Sequence, residues 1–478
     1  MNLHAKPQKI PPLSSDLLGR FISIVGERYA ITDPRDQESY LVEMRGIYHG
    51  RTPVVLRAGS VAEVSAILKL ANETKTAIVP QGGNTGLSGG QVPHNGEVVL
   101  SLTRLDKVRE VDPVSNTMTC EAGVTLQRAR EAAANADRLY PQLLPSEGTC
   151  TIGGNLSTNA GGIAAIAHGV SRAHALGLEV VLADGRVLNN LNKLKKDNTG
   201  YDLKNLFIGA EGTLGVITAA VLRLVPRPRS IETAYAAVPN PQAAIDLLGL
   251  AQERTGGNVT SFEIMGRIGI DAVLKHVAGT RDPLSRPYEW YALIELSSQQ
   301  TEGLRGSMEE LLAAGMEKGL VLDATIADSL EQRKAFWQIR ELFGEVQRLI
   351  GASIKHDISV PIAAIPAFIE EANAAVVKLI PGSVPMPFGH AGDGNIHYNV
   401  NQPPGADRND FLSRWDEVNA VVFDVAAKYG GSISAEHGIG VMKRDVLPRY
   451  KDKTAIEVMR AIKRTLDPNN ILNPGKVI

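Results

Sequence analysis

Apolar residues recur along this chain with two different periods, which predict where helices and strands lie. The segment VAEVSAILKLANET carries apolar residues at the three- and four-residue spacing of one helix face, namely Val61, Val64, Leu68 and Ala71. The next segment, TAIVPQGGNTGLSGG, begins as a short apolar run and ends in glycines. It predicts a strand that leads into a glycine-rich loop.

The first half of the chain contains further predicted strands and one more clear helix. GLEVVLADGRVLN is interpreted as two strands joined at Asp184-Gly185, and LGVITAAVLRLV as another strand. A helix is predicted from about Leu126 to Ala136, with Thr125 as its N-cap. This half is therefore predicted to be α+β.

In the second half, strand-like segments alternate with amphipathic helices. YALIELS and SIKHDISVP predict strands, and helices are expected around residues 329–350 and 408–428. The simplest arrangement is a sheet covered by helices on one face. The longer helix has an apolar stripe with Arg340 at its edge, where the guanidinium could reach a cleft; the stripe consists of Phe336, Ile339, Phe343, Val346 and Ile350.

A chain of 478 residues is too long for one compact core, so two domains are expected. The clearest boundary is Pro226-Arg-Pro-Arg, which follows a predicted strand and precedes a segment with fewer glycines. We therefore predict one domain over residues 1–228 and a smaller second domain over residues 229–478.

The composition excludes several classes of protein. Hydrophobic residues make up 44% and charged residues 21%, as in ordinary globular proteins, and 50 Lys+Arg balance 52 Asp+Glu. No basic tract suggests nucleic acid as a partner. The two cysteines, Cys120 and Cys150, indicate neither a disulfide framework nor a thiolate metal site. The first residues lack an apolar leader and no window could span a membrane, so a cytoplasmic protein is expected.

Glycines cluster in three segments of the first half, at residues 80–90, 145–162 and 209–218. None contains a strand-linked G-x-G-x-x-G or a G-x-x-x-x-G-K-[ST], so NAD-dependence and a P-loop are disfavoured. Any one segment taken alone is most simply a set of tight turns. Three together, flanked by Ser, Thr and Asn, indicate backbone N–H groups and hydroxyls arranged around the pyrophosphate of a large cofactor.

With PQGGNTGLSGG and PSEGTCTIGGNLSTNAGG, the chain resembles the FAD-linked oxidases and dehydrogenases of the vanillyl-alcohol oxidase and p-cresol methylhydroxylase type. This resemblance covers roughly residues 50–228. It implies an FAD-binding domain, a ferredoxin-like α/β cap domain, and an active site between the flavin and the cap. The residues that it places at FAD are Pro80, Gly82, Gly83, Asn84, Thr85, Gly86, Gly148, Thr149, Gly153, Gly154, Ser157, Asn159, Gly212 and Ile217.

Two further features concern how FAD would be held. The terminal segment ILNPGKVI is similar to the family's tail, which implies that Asn473 returns to the flavin. Some family members attach FAD through a histidine in the first loop, but this loop has none, so noncovalent FAD is expected. His94 lies beyond the loop and is interpreted as a surface residue.

A candidate metal site lies in the second half. His390 and His397 flank the turn signal at residues 392–394, so a hairpin would bring the two imidazoles together, and Glu436 and His437 lie between glycines farther on. Two histidines and a carboxylate suit Zn²⁺ or Mn²⁺, although each histidine alone is more often structural. The motifs resemble the D-2-hydroxyglutarate and D-lactate dehydrogenase branch of the family, which implies His390, His397 and Glu436 as metal ligands.

The remaining roles follow from this branch and from the chemistry of 2-hydroxy acids. An ion that chelates the hydroxyl and carboxylate lowers the hydroxyl pKa, and His437 is the candidate base, with support of the metal site as its alternative role. The resemblance implies that Asn399 binds the substrate carboxylate and that Arg340 and Lys355 bind a distal one. The 2-hydroxyglutarate enzymes carry Thr where this chain has Gly344, so the pocket is expected to differ.

We therefore expect an FAD-dependent dehydrogenase that oxidises D-2-hydroxyglutarate, or the related D-malate or D-lactate, to the 2-oxo acid. The alternatives are a glycolate or aryl-alcohol oxidase on the same scaffold and a nonenzymatic nucleotide-binding protein. The sequence leaves open whether the electron acceptor is an electron-transfer flavoprotein, a quinone or oxygen, and whether the protein forms a homodimer.

Overall fold

The computed structural model describes residues 12–478. The expectation that the chain lacks an apolar leader falls mainly on residues 1–11, outside the described part. In chain order, the helices are α1 Ser15–Val25, α2 Pro34–Leu41, α3 Val61–Thr74, α4 Leu126–Asn135, α5 Ile152–Thr158, α6 Ala165–His168, α7 Ser171–His174, α8 Lys204–Phe207, α9 Pro241–Arg254, α10 Arg267–His276, α11 Leu304–Glu317, α12 Leu330–Glu341, α13 Phe343–Ile350, α14 Ile365–Leu379, α15 Arg408–Ser413, α16 Trp415–Lys428, α17 Leu447–Tyr450 and α18 Lys453–Leu466.

The strands are β1 Ala30–Ile31, β2 Val55–Arg57, β3 Ile78–Gln81, β4 Val98–Ser101, β5 Val108–Asp112, β6 Thr117–Glu121, β7 Arg138–Leu139, β8 Ala175–Val181, β9 Val187–Asn190, β10 Val216–Arg223, β11 Val225–Pro226, β12 Ser230–Val238, β13 Val259–Gly266, β14 Trp290–Ser298, β15 Asp323–Ile326, β16 Ser353–Ser359, β17 Val384–His390 and β18 Asn395–Asn401.

The chain divides into two compact units. The terminal unit contains described residues 12–162, 169–227 and 436–478, and the central unit contains residues 163–168 and 228–435. The segment 436–478 therefore belongs with the beginning of the chain, although it follows the central unit in sequence.

The terminal unit has a four-stranded sheet in the order β1-β2-β4-β3 and a five-stranded antiparallel sheet in the order β5-β6-β10-β8-β9. Helix α3 coincides with its predicted segment and begins after Ser60, whose side chain accepts from Glu63 N. The Thr125 side chain caps α4 as predicted, by accepting from Arg128 N. Strands β8 and β9 form the predicted hairpin around Asp184-Gly185.

The central unit is built on a seven-stranded antiparallel sheet in the order β15-β12-β14-β13-β17-β18-β16. Its inner strands are largely buried on both faces. Tyr235 and Ala237 of β12 join the hydrophobic cluster that includes α10, α12 and α13, while the alternate residues Ala234, Ala236 and Val238 are equally buried and β12 contacts α9 and α11. The expectation of helices on one face is therefore wrong, because both sets of alternating side chains are apolar and each needs a cover.

The predicted long helix at residues 329–350 consists of two helices, α12 and α13, which meet at Leu342. Gly344, a residue of low helix propensity, lies just after the junction. The segment around 408–428 is likewise divided, at Arg414, into α15 and α16. Arg340 lies in the last turn of α12 and is 7% exposed, so its side chain is buried.

Both cysteines are free and buried in the terminal unit. Among residues 12–478, every helix is too short or too polar to cross a bilayer.

Candidate active site

The first two glycine segments of the terminal unit lie against each other. Strand β3 ends at Gln81, and in the following loop a Cβ at Gly83 would overlap the carbonyl oxygen of Thr149. A Cβ at Gly82 would overlap the hydroxyl of Thr151, which caps α5. Because the clash at Gly83 is with backbone, which cannot rotate away, this close approach requires glycine there.

The two segments line a cavity of about 390 Å³. Five of the predicted cofactor residues border it: Gly82, Gly83, Asn84, Gly148 and Thr149. The other lining residues were not predicted from the sequence; they are Ser39, Tyr40, Gln81, Thr103, Asp106, Gly123, Thr125, Arg128 and Thr151. The cavity therefore contains parts of both glycine segments and several hydroxyl groups.

Three buried amide oxygens around these loops have no hydrogen-bond partner among residues 12–478. They are Gln81 Oε1, Asn84 Oδ1 and Asn473 Oδ1. Asn84 adopts a φ of 56° and donates through Nδ2 to Ser39 O and Val42 O, and Asn473 donates to Gly90 O and Glu211 O. Since unpaired buried acceptors are costly, they fit a ligand rich in hydroxyl and N–H donors, as FAD is.

The remaining predicted cofactor residues do not line this cavity. Ser157 donates to Gly153 O within α5, Asn159 ends that helix and accepts from Arg172 N, and Ile217 lies in the hydrophobic core. Gly212 packs against Pro80. Thr85, Gly86 and Gly154 are also outside the cavity lining, although all three belong to the same two segments.

The loop that carries Glu436 and His437 is fixed within the terminal unit. Glu211 accepts from Ile439 N at 2.7 Å and Gly440 N at 2.9 Å, and Ser88 donates to His437 O at 2.9 Å. Burial raises the pKa of Glu211 to about 7, although the two N–H donors act in the opposite direction. The carboxyl group of Glu211 therefore holds the backbone of the loop that carries His437, the predicted base. Glu211 was not among the site residues predicted from the sequence.

Space for the Glu436 side chain depends on the second glycine segment. A Cβ at Gly161 would overlap Glu436 Oε1 and crowd its Cγ and Cδ. Gly161 was not among the predicted site residues, although it lies at the end of the segment that the sequence singled out.

In the central unit, the predicted hairpin exists as β17 and β18, and it brings the two histidines together. Cross-strand register pairs His390 with Asn395 and Phe388 with His397. The imidazole centroids of His390 and His397 are 5.4 Å apart. Cross-strand neighbours share a face, so these side chains and Asp357, which pairs with His397 from β16, lie on the same side of the sheet.

The two cationic side chains predicted to bind the substrate, Arg340 and Lys355, belong to different elements of the central unit, α12 and β16. The Arg340 guanidinium carbon is 4.8 Å from the ring centroid of Phe388, which in turn lies 5.2 Å from His397. Lys355 of β16 donates from Nζ to Gly344 O at 2.8 Å. Gly344 is the residue at which this chain differs from the 2-hydroxyglutarate enzymes that it resembles. Lys355 also shares a sheet face with His397, because Lys355 and Asp357 are two positions apart on β16 and Asp357 pairs with His397.

Asn399 pairs with Lys355 across β16 and β18 and is buried. Its Oδ1 accepts from His356 N, and its Nδ2 donates to Gln347 Oε1 at 3.0 Å. Because the amide has a second N–H, it retains one further donor for a carboxylate.

Glu263 of β13 was not predicted as a site residue, but it contacts two residues that were, His390 and Arg340. It is fully buried, with Oε1 2.6 Å from His390 Nδ1 and Oε2 2.6 Å from Arg340 Nε. Burial alone would raise its pKa, but the Arg340 and His390 charges and hydrogen bonds hold the pKa of Glu263 at about 2. A lone carboxylate in the apolar segment VTSFEIMG is the signal that could have identified it, because buried charges need partners.

Two family sequence models match the chain. The model described as FAD binding domain matches residues 52–190, and the one described as FAD linked oxidases, C-terminal domain, matches residues 227–477. The match to the FAD-binding model confirms the prediction that the chain binds FAD.

Curated relatives are similar over almost the whole chain. A probable D-2-hydroxyglutarate dehydrogenase, mitochondrial, from Oryza sativa subsp. indica is 40% identical over 467 residues, which is 98% of this chain and 82% of the relative. A D-2-hydroxyglutarate dehydrogenase, mitochondrial, from Arabidopsis thaliana is 37% identical over 466 residues, with the same coverage.

Among solved structures, p-cresol methylhydroxylase with substrate bound superposes with a TM-score of 0.77 at 18% identity, and covers 97% of this chain and 96% of that one. This similarity confirms the predicted two-domain fold.

Proposed function

Because the chain belongs to the FAD-linked oxidases and is an FAD-dependent oxidoreductase, we propose that its substrate is a D-2-hydroxy acid, with D-2-hydroxyglutarate first among the candidates. The observation that carries the proposal is the group of side chains on one face of the central sheet, where two adjacent histidines lie beside the aromatic ring that Arg340 covers. Both relatives named above carry D-2-hydroxyglutarate in their names, which supports the same substrate.

FAD, when bound, would accept the hydride from C2 of the substrate. The residues proposed to hold it noncovalently are those of the two glycine segments, Gly212, Ile217 and Asn473. Support is strongest where the cavity lining and the unpartnered amide oxygens coincide, at Gln81 and Asn84. The other positions of this set rest on the resemblance.

His390, His397 and Glu436 are proposed to bind a divalent ion, Zn²⁺ or Mn²⁺. Such an ion, when bound, would lower the pKa of the substrate hydroxyl. His390 Nδ1 is engaged with Glu263, so this residue would coordinate through Nε2. Glu436 follows Ala435, whose N–H donates to Asp357 O beside His397. Two imidazoles and one carboxylate leave positions for substrate, as a catalytic ion requires.

The chain's own groups would then carry out the remaining steps. His437 is proposed to take the hydroxyl proton, Asn399 to hydrogen-bond the C1 carboxylate, and Arg340 with Lys355 to bind the distal carboxylate. Gly344 has no side chain to restrict this last subsite, and nothing lies within 4 Å of where its Cβ would be.

A substrate panel tests the proposal. FAD-loaded protein is given D- and L-2-hydroxyglutarate, malate, lactate and glycolate with an artificial dye as acceptor, and dye reduction is followed. D-2-hydroxyglutarate should have the highest kcat/KM and its L enantiomer should be inert. A preference for glycolate would favour the oxidase alternative, and absence of turnover on every 2-hydroxy acid would contradict the proposal.

Three accompanying proposals concern the setting of the enzyme. An electron-transfer flavoprotein or a quinone would reoxidise the flavin, and a homodimer and a cytoplasmic location remain predictions. The two relatives carry "mitochondrial" in their names, so fractionation of the native cells is the relevant measurement for location.

A further inference from the structure

One buried carboxylate bridges two side chains that the proposed function assigns to opposite ends of the substrate. The two oxygens of Glu263 are divided between them, with Oε1 facing His390 Nδ1 and Oε2 facing Arg340 Nε, both at 2.6 Å. These contacts join β13, β17 and α12, which are distant in sequence.

We propose that Glu263 is a positioning residue that fixes the imidazole of His390 for metal coordination and, through the same carboxylate, the guanidinium of Arg340 for the distal carboxylate of the substrate. This inference rests on the proposed function, from which the roles of His390 and Arg340 are taken. Glu263 itself would touch neither ion nor substrate.

The histidine part follows from the chemistry of a carboxylate. An ionised carboxylate can only accept hydrogen bonds, so the Nδ1 atom of His390 must carry a proton and donate it to Oε1. In the neutral ring, the lone pair is then on Nε2. Metal-binding histidines commonly have their other nitrogen held in this way, which fixes both the tautomer and the ring orientation.

The role proposed for Glu263 at Arg340 follows from which guanidinium N–H groups already have hydrogen-bond partners. Nε is used by Glu263, and the guanidinium covers the ring of Phe388. Nη2 is buried and has no hydrogen-bond partner among residues 12–478. An arginine anchored through Nε keeps its terminal nitrogens for an incoming carboxylate, and a buried donor without a partner fits a ligand that supplies one.

Burial makes this arrangement hard to replace. Glu263 has no exposed surface, so water cannot take over either hydrogen bond from outside. Each of its oxygens faces an N–H group, one of them on the permanently charged Arg340, so the ionised carboxylate is the form that suits both contacts. A neutral amide of the same size could accept from one partner only, and its NH₂ group would face the N–H of the other.

The test uses the Glu263→Gln variant as FAD-loaded protein and measures its affinity for Zn²⁺ alone by competition with a chelating dye. The expected result is a 10- to 100-fold weaker affinity than in wild type, the range typical of lost support for a metal ligand. The KM for D-2-hydroxyglutarate should also rise more than that for D-lactate, because only the former uses Arg340.

Glu295→Gln is the matched control. Glu295 is also buried, lies in the neighbouring strand β14, and accepts from Arg333 and Trp337 of the same helix α12. The described hydrogen bonds of its side chain go to Thr233, Arg333 and Trp337, none of which is proposed to bind ion or substrate. This variant should lose stability but keep the wild-type zinc affinity.

The outcomes separate the inference from the proposed function. Wild-type protein that binds no Zn²⁺ or Mn²⁺ would overturn the proposed metal site and the inference together. Wild type that binds zinc, with unchanged affinity in Glu263→Gln, would overturn the inference alone. If that variant does not fold, nitrogen-15 NMR of the histidines in metal-free, FAD-loaded wild type decides: the inference requires a proton on His390 Nδ1, and a proton on Nε2 instead would contradict it.

Discussion

The candidate sites of the two units consist of different chemical groups: backbone atoms in the terminal unit and side chains in the central unit. In the terminal unit, backbone atoms of two glycine segments approach so closely that Gly83 has no room for a Cβ. In the central unit, a buried carboxylate, an arginine and two histidines contact one another through their side chains. A site formed by closely packed backbone should lose its ligand when a side chain is added at a glycine. A site formed by charged side chains should lose its ligand when one of the paired groups is removed.

Removal of divalent ions should distinguish the two units most strongly. After dialysis against a chelator, turnover should be abolished, because His390 and His397 of the central unit would lack the ion that activates the hydroxyl. The flavin should stay bound, since the residues proposed to hold it lie in the terminal unit. Dye reduction and flavin absorbance measure the two effects, and zinc or manganese should restore activity. Full activity in metal-free protein would contradict the ligand assignment.

Gly83→Ala should have the next largest effect, which is loss of most of the bound flavin. The added Cβ would overlap Thr149 O, so the two segments must separate. Flavin absorbance per protein after gel filtration measures this. Gly19→Ala is the control, because nothing lies within 4 Å of that Cβ in helix α1, and it should keep its flavin. Retention of flavin by Gly83→Ala would show that the loops can adapt.

His437→Ala should lower the rate of flavin reduction by about a hundredfold or more, as expected for loss of a positioned base. Stopped-flow reduction with D-2-hydroxyglutarate measures the rate, and metal analysis must show wild-type ion content. Glu211 and Ser88 bond the backbone of this loop, so the loop should keep its position in the variant. A near-normal rate with the ion retained would show that the proton leaves by another route.

Local patterns were enough to predict most of the fold. The apolar spacing predicted α3, the side chain of Thr125 predicted the start of α4, and the turn signal at residues 392–394 predicted the hairpin that pairs the two histidines. Each of these depends on residues a few positions apart, where propensity and capping act. The same local reasoning failed at Leu342, where one amphipathic stripe is divided between two helices.

The partners within the site could not be predicted in this way. Glu263 is 127 positions from His390 and 77 from Arg340, so no spacing rule connects them. Their proximity results from the strand order of the central sheet, in which β13 lies beside β17, and sheet order depends on tertiary packing. The glycine segments were easier to identify because glycine itself marks a close backbone approach.

The distal carboxylate subsite is best tested through Lys355. Arg340→Ala would leave Glu263 as a buried charge with one partner fewer, and breaking such a pair typically costs about 3–5 kcal/mol of stability. Lys355 instead donates to a backbone carbonyl. Lys355→Met should therefore lower kcat/KM for D-2-hydroxyglutarate by roughly 1.5–3 kcal/mol, about 10- to 150-fold, and leave D-lactate nearly unchanged. The exposed Lys334 of α12, changed to Met, is the control, and equal losses on both substrates would point to a structural lysine.

The smallest effect on cofactor binding should come from removal of the Asn84 side chain in the terminal unit. Asn84→Gly removes two hydrogen bonds, to Ser39 O and Val42 O, together with the unpartnered Oδ1, but glycine keeps the φ of 56° without strain. A hydrogen bond contributes a net 0.5–1.5 kcal/mol, so the affinity for FAD should fall by less than about tenfold per lost contact to the cofactor. Asn84→Ala should be worse, because a left-handed conformation costs roughly 1–2 kcal/mol for a residue with a Cβ. Titration of apoprotein with FAD compares the two. A loss in Asn84→Gly as complete as in Gly83→Ala would mean that side chains, and not backbone, hold the cofactor in the terminal unit.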